Sequence, residues 1–342
     1  MKITDAVVSE TIYLALKGLI LTIRLTPHTI AMTVGRILGL LFFLVSPYYR
    51  KMVALQMKAA LGPVYNKKLL FKAFLHFGIL PIEMIKFVYL DDAEVKKRLV
   101  VHGTENVEAA LKTGRPIMVI TGHIGNWEIL PNITRYIGGK IHIVMDIRRD
   151  PKQEGIITDI RSHIPDIVIL PPKGGVISML IGALKEGKRV GMMVDQRHMR
   201  KYGLVCDFLG MPAPTTPAPA FIALKADALI QPVFMKRKAG KMYSVFFEKP
   251  VDPRDFGAFD KNIVRLSDGA KTEAVQRLSN HIQSLVSSVI MATPDQWLWL
   301  HGRWLRRKDM REVIKKGLDF KTIVSEQAEQ IRRGKMPSED EK

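Results

Sequence analysis

The sequence predicts an α/β protein with a mainly parallel central sheet flanked by helices, and with N-terminal membrane-associated helices in front of it. Two observations carry this. From about residue 100 onward, short apolar runs of strand length alternate with amphipathic helical patterns, the signature of helices packed on a parallel sheet. Before residue 50, apolar residues run almost without interruption. The expected organisation is residues 1–50 as a membrane-anchoring helical segment, residues 51–310 as the α/β domain and residues 311–342 as a charged C-terminal helix and tail.

The elements follow in order. Residues 7–25 form a first apolar stretch that carries Lys17 and Arg24, and Pro27 separates it from a second. The second, residues 29–47, has 19 residues and one charge, Arg36. A bilayer-spanning helix needs about 20 mostly apolar residues, so this stretch is just long enough. Whether it spans the bilayer or lies in its interface stays open. No small-residue cleavage site follows, which argues against a signal peptide. Thr104 is placed to cap a helix ending near Gly114. Strands are expected at 116–121, 141–147, 167–170, 189–194, 229–235 and 243–247. Helices are expected between them at 155–163, 176–186 and 217–227, and a long amphipathic one at 271–292.

The chain has 342 residues and a formal net charge of +19. Such a balance suggests a polyanionic partner: nucleic acid, an anionic membrane surface, or an acidic protein or ligand. The distribution favours the membrane. Residues 1–90 hold Lys or Arg at 2, 17, 24, 36, 50, 51, 58, 67, 68, 72 and 86, against Asp5, Glu10 and Glu83. A basic flank beside an apolar helix reads as cytoplasmic and attracted to anionic lipid. No nucleic-acid docking motif accompanies the charge, so no nucleic acid is expected. A single cysteine, Cys206, excludes an internal disulfide and a cysteine-based zinc site. Its apolar surroundings in sequence make it a small buried hydrophobe.

The chemistry concentrates in Thr121-Gly122-His123-Ile124-Gly125-Asn126-Trp127-Glu128. The segment follows a strand directly, at the carboxyl end of a sheet, where open α/β folds bind ligands. His123 and Glu128 are five residues apart. On one continuous helix that spacing turns through about 140°. The two meet only if His123 lies in the turn and Glu128 on the element that follows. Gly122 and Gly125 provide the backbone freedom for such a turn. A neutral imidazole takes a proton from an attacking hydroxyl, and a carboxylate on its other ring nitrogen fixes the tautomer and stabilises the imidazolium. No Gly-x-Ser-x-Gly elbow offers a serine nucleophile. Without further context, a structural histidine is the readier reading of the spacing.

Four motifs in order make the pattern specific. The Gly-His-Ile-Gly-Asn-Trp-Glu segment resembles the H-x4-D/E motif of the bacterial lipid A biosynthesis acyltransferases, the lauroyl/myristoyl transferase family of the lysophospholipid acyltransferase-like superfamily. Residues 187–196, ending in Val194-Asp195-Gln196, resemble that family's strand ending in Asp-Gln or Asp-His. Asp207-Phe208-Leu209-Gly210, Pro214-Thr215-Thr216 and Ala223-Leu224-Lys225 resemble its central block. Residues 296–304, with Trp297, Trp299, His301, Arg303 and Trp304, resemble its C-terminal signature. The likeness spans roughly residues 15–307. It departs at Ile147-Arg148-Arg149-Asp150-Pro151, where the family often has Tyr-Arg-Pro. It departs again at Thr216-Pro217-Ala218-Pro219, where a glycine is common.

The resemblance implies a glycerol-phosphate acyltransferase-like fold, an acyl carrier protein thioester as donor and a lipid A precursor as acceptor. It implies work at the cytoplasmic face of the inner membrane, with no metal and no cofactor. His123 is then the base and Glu128 its orienting partner. Arg148, Arg149 and Arg161 become candidates to hold phosphate or acidic sugar groups, since guanidinium binds such oxyanions bidentately. Asp195 is a candidate to organise an arginine or a substrate hydroxyl, or else a strand-end carboxylate. Arg197 belongs to a basic loop suited to an acidic headgroup or carrier. His301 and Arg303 sit at an edge of the substrate site, a membrane anchor or a structural aromatic cluster. Two rival functions remain. One is acyl transfer to another membrane lipid (a phospholipid, ornithine lipid or inositol glycolipid), with acyl-coenzyme A as a possible donor. The other is a non-catalytic membrane lipid-binding protein.

Overall fold

The computed structural model describes residues 3–144, 166–170, 174–198, 203–238, 242–270 and 272–333. Seven strands form one sheet: β1 (Leu99–His102), β2 (Ile117–Thr121), β3 (Ile141–Val144), β4 (Ile167–Leu170), β5 (Arg189–Met193), β8 (Leu229–Arg237) and β9 (Tyr243–Phe247), in the order β1-β9-β8-β2-β5-β3-β4. Every pairing is parallel except β8 with β9. The expected α/β class and mainly parallel sheet are thus observed. A separate antiparallel hairpin, β6 (Leu204–Phe208) with β7 (Met211–Thr215), packs beside it.

β2 is the centre of this design. Its five residues are buried, so it reads as a continuous apolar run rather than an alternating one. The alternation survives in where each side chain goes. Met118 and Ile120 enter the larger core, while Ile117 and Val119 enter the second core on the opposite face. The larger core takes in α7 (Val176–Lys185), α8 (Ala218–Ala226), α9 (Glu273–Ala292) and the three C-terminal-region tryptophans. The second is closed by α5 (Asp92–Arg98), α6 (Thr104–Lys112) and residues 129–137.

The N-terminal helices are α1 (Ile3–Leu25), α2 (His28–Val45), α3 (Pro47–Leu61) and α4 (Lys67–Val88). α4 has two loaded faces. One lies antiparallel along α2: Phe43 meets Phe71 and Phe74 edge-on, and Lys86 reaches the Thr26 carbonyl near the other end. The other face, with His76, Leu80 and Glu83, bonds to the α/β domain. Beyond the sheet, α10 (Arg307–Lys316) and α11 (Phe320–Arg332) close the chain against α3 and the hairpin.

Most expected elements appear near their expected bounds, but the helices α3, α4 and α5 are not among the expected ones. β1 and the β6–β7 hairpin are not among the expected strands. β1 is four residues on the end of a charged helix, and β7 contains Pro212 and Pro214, which a two-stranded hairpin tolerates and a central strand does not. Thr104 is the first residue of α6 and Gly103 occupies the cap. The expected helix at 155–163 and the end of the expected strand at 141–147 lie outside the described residues.

At the crossing of α2 and α4 the backbones touch. A Cβ on Gly78 would sit 2.1 Å from the Gly35 carbonyl oxygen and 2.4 Å from the Gly39 nitrogen. Neither neighbour is a flexible side chain, so the helices would have to separate. Gly78→Ala is expected to cost about 1–3 kcal/mol of stability through this overpacking, measured as a lowered midpoint in thermal or urea unfolding.

Candidate active site

The site forms where β2 and β5 end. The Val194 N–H donates to the Thr121 carbonyl, 3.0 Å, which carries the strand pairing one step beyond β5. Asp195 is thereby delivered beside Gly122. Its carboxylate is 1% exposed. Oδ2 accepts from the His123 backbone N–H and from Trp297 Nε1, each at 2.7 Å. Oδ1 lies 2.7 Å from His123 Nδ1. Burial alone would push the Asp195 carboxyl up, but the imidazole beside it and these donors hold it at about 2.

The same bonds define the histidine. With Nδ1–H donating to Asp195, Nε2 carries the lone pair. The Gln196 amide nitrogen sits 3.1 Å from Nε2 and serves as its donor in the free protein. Burial pulls the imidazole pKa down, but the Asp195 charge, the bond to it and the Glu128 charge outweigh that, so it stands above the ordinary value. Trp127 packs edge-on to the ring, with centroids 5.0 Å apart.

His123 lies in a tight loop and not on a helix. Gly125 has φ of +63°, and a Cβ there would fall 2.2 Å from the Met235 carbonyl oxygen, so only glycine fits. The loop is clamped from the C-terminal signature. Gly125 N–H donates to the Gln296 carbonyl at 2.9 Å, and Leu298 N–H to the His123 carbonyl at 3.0 Å. Gln296 in turn bonds both backbone groups of Arg237. Asn126 turns away from the cavity, donating to the Leu80 carbonyl and to Glu83, each at 3.2 Å. Glu83 takes the Arg237 guanidinium bidentately, at 2.5 and 2.6 Å, and His76 Nδ1 accepts from the same guanidinium at 2.7 Å.

Glu128 follows in the turn before a short 3₁₀ helix, Leu130–Ile133. It lines the same cavity as His123 and acts on the imidazole through its charge. The carboxylate bonded to Nδ1 is that of Asp195. Sequence reasoning singled out Asp195 without pairing it to the histidine, because strand order, which makes β2 and β5 neighbours, is not written in local pattern. Trp297 as an Asp195 donor had no such signal either.

The cavity has a volume of about 470 Å³. His123, Glu128 and Gln196 stand at its polar end, and Val119, Ile133, Ile141, Ile143 and Ile167 make apolar walls. The size suits a small-molecule site with few convergent polar groups. Arg303 is not among its lining residues. It is fully buried, stacks on Phe208 at 4.7 Å, and donates to the Pro214 carbonyl, to Thr215 Oγ1 at 2.7 Å and to Gln283 Oε1 at 3.0 Å. Gln283 passes the support on by donating to the Val194 carbonyl at 2.8 Å. Arg197 is half-buried next to Arg306 and Asp309, with burial and then Arg306 pulling its pKa to about 10. Arg148, Arg149 and Arg161 lie outside the described residues. Trp297, Trp299 and Trp304 are all buried in one cluster, and the Cys206 thiol is pushed up to about 11 by burial.

Removing one member of the buried Glu83–Arg237 pair leaves an uncompensated charge. Glu83→Ala is expected to lower stability by about 3–5 kcal/mol, whereas Glu83→Leu with Arg237→Met recovers most of it. Urea unfolding of both variants checks this.

The family model for bacterial lipid A biosynthesis acyltransferase matches residues 4–306. The lipid A biosynthesis palmitoleoyltransferase of Escherichia coli (strain K12) is 22% identical over 248 residues, covering 71% of this chain and 73% of its own length. The lipid A biosynthesis acyltransferase of Shigella flexneri matches to the same extent, 22% over 248 residues. A match that runs through the loop of His123, the β5 end and the tryptophan segment alike shows that the chain is an acyltransferase and belongs to the bacterial lipid A biosynthesis acyltransferase family.

Proposed function

We propose that the chain moves a fatty acyl group from an acyl carrier protein thioester to a hydroxyl of a lipid A precursor, at the cytoplasmic face of the inner membrane. The observation that carries the mechanism is the fixed imidazole: Nδ1 held by the buried Asp195, and Nε2 turned to the polar end of an apolar cavity. The acceptor hydroxyl replaces the Gln196 amide on Nε2. As its oxygen attacks the thioester carbonyl, its proton passes to Nε2. Asp195 stabilises the imidazolium that forms, and the Glu128 charge adds to this. The tetrahedral intermediate collapses by breaking the carbon–sulfur bond, and the departing thiolate takes the proton back from Nε2. The ester and a free thiol are the products, with no covalent enzyme intermediate.

The apolar walls suit an acyl chain whose carbonyl end reaches His123. The net charge of +19 suits an acidic carrier protein and a phosphorylated acceptor. Arg148, Arg149 and Arg161 are assigned to the acidic groups of the acceptor, on the sequence alone. The basic N-terminal region and the apolar α2 suit an anionic membrane surface.

His123→Ala is expected to lower turnover by about 10²–10⁴-fold with the fold retained. The assay uses labelled acyl carrier protein and a tetra-acylated lipid A precursor. Transfer only to a phospholipid, or only from acyl-coenzyme A, would keep the base and discard the acceptor or the donor. Equal turnover in wild type and variant would sink the general-base mechanism. The pH profile gives a second check. The base works neutral, so kcat/KM falls as pH drops through an imidazole pKa raised above its ordinary value. Asp195→Asn removes the charge that raises it, so the acid limb moves to lower pH while kcat falls.

A further inference from the structure

We infer that α2 does not cross the bilayer but lies in the plane of an anionic leaflet, with one side immersed and α4 on the other. The inference rests on the membrane-surface reading given above and assigns its geometry. α2 is the described helix with the length and composition to span a bilayer. Two features of its setting oppose that orientation. First, its contact with α4 runs its whole length, from the Lys86 bond near Thr26 through Gly35, Gly39 and Gly78 to Phe43. α4's opposite face carries His76, Leu80 and Glu83, bonded to Arg237 on β8 and to Asn126 in the loop that carries His123. A spanning α2 would take this polar layer, and the active site with it, to the depth of the acyl chains. Second, Arg36 falls at the midpoint of His28–Val45. A spanning helix would put that charge at the bilayer centre, the most costly depth.

In the plane, both features are satisfied. Ile30, Val34, Ile37, Leu38, Leu40, Leu41, Leu44 and Val45 are exposed, between 37% and 72%. They form one broad face on the side away from α4, whose contact is made through Gly35 and Gly39. Arg36 borders this face beside Leu40, about 130° round from its centre, where its long side chain reaches the headgroups when the face is immersed. On α1, Leu14, Leu21 and Leu25 are exposed at 58%, 53% and 73%, at helical spacing. Exposed Lys51, Lys67, Lys68 and Lys72 gather near the C-terminal end of α2. An apolar face with basic residues beside it is the pattern of an interfacial helix on anionic lipid.

The test is a depth profile on the full-length chain. Ile30→Cys, Leu38→Cys and Val45→Cys are made separately in a Cys206→Ala background and labelled with an environment-sensitive fluorophore. Each is bound to phosphatidylglycerol-rich vesicles carrying a nitroxide at carbon 5 or at carbon 12 of the acyl chain. In-plane binding predicts that all three probes are quenched alike, and more by the shallow nitroxide. A spanning helix predicts that Leu38→Cys is quenched most by the deep nitroxide and the two ends by the shallow one, which would overturn the inference while keeping membrane association. No vesicle binding by any labelled protein would overturn the membrane-surface reading itself. As a companion, Leu38→Asp with Leu41→Asp is expected to weaken vesicle binding by about tenfold or more and to leave transfer to a detergent-dispersed acceptor intact. Unchanged vesicle binding would also count against the inference.

Discussion

The buried carboxylate of Asp195 is the point on which the site depends. A charge with 1% exposure persists only when its lone pairs are satisfied. Here three donors from two distant segments do so: the backbone and ring of His123, and the indole of Trp297. Each bond also has a geometric effect. The backbone bond shapes the loop, the ring bond selects the tautomer, and the indole bond draws the C-terminal signature against both. The orientation of the imidazole and the packing of the tryptophan cluster are therefore one arrangement.

A second layer supports the first from behind. Gln283 joins Arg303 to the backbone just before Asp195, and Gln296 joins the loop to β8. On the side of the N-terminal helices, Glu83, Arg237 and His76 do the same for the loop that carries His123. These are buried polar networks with long reach along the chain, and such networks specify a geometry more than they add stability. Arg303 illustrates the difference between a conspicuous residue and a contacting one. In sequence it stands among tryptophans like a ligand-binding arginine, and in the fold its two terminal nitrogens donate to protein oxygens.

The legible part of this protein was what local pattern can express. β2, β5 and β8 announce themselves as apolar runs of strand length, and the glycines around His123 mark a turn by their spacing alone. His123 itself was legible from its position after a strand. The carboxylate bonded to Nδ1 was not, because Asp195 is 72 residues away and reaches it only through the adjacency of β2 and β5. The same limit hid the β6–β7 hairpin, whose prolines argue against a strand unless the partner is known. α4 was hidden as well: it is not among the expected helices, and which of its residues face α2 or the domain depends on both neighbours.

The spacing of these partners along the chain also has a temporal meaning. Asp195 follows His123 by 72 residues, and Trp297 follows Asp195 by a further 102. Glu83 on α4 waits 154 residues for Arg237. At a ribosomal rate of about 5–20 residues per second, the nascent chain holds His123 for roughly 10–35 s before the last of its supports emerges. During that interval the apolar hairpin of α2 and α4 is already made, and its inner face has no domain to cover it. Long-range closure of this kind is slow to reward. A lipid surface that shelters the hairpin early would therefore act on the birth of the enzyme as well as on its work.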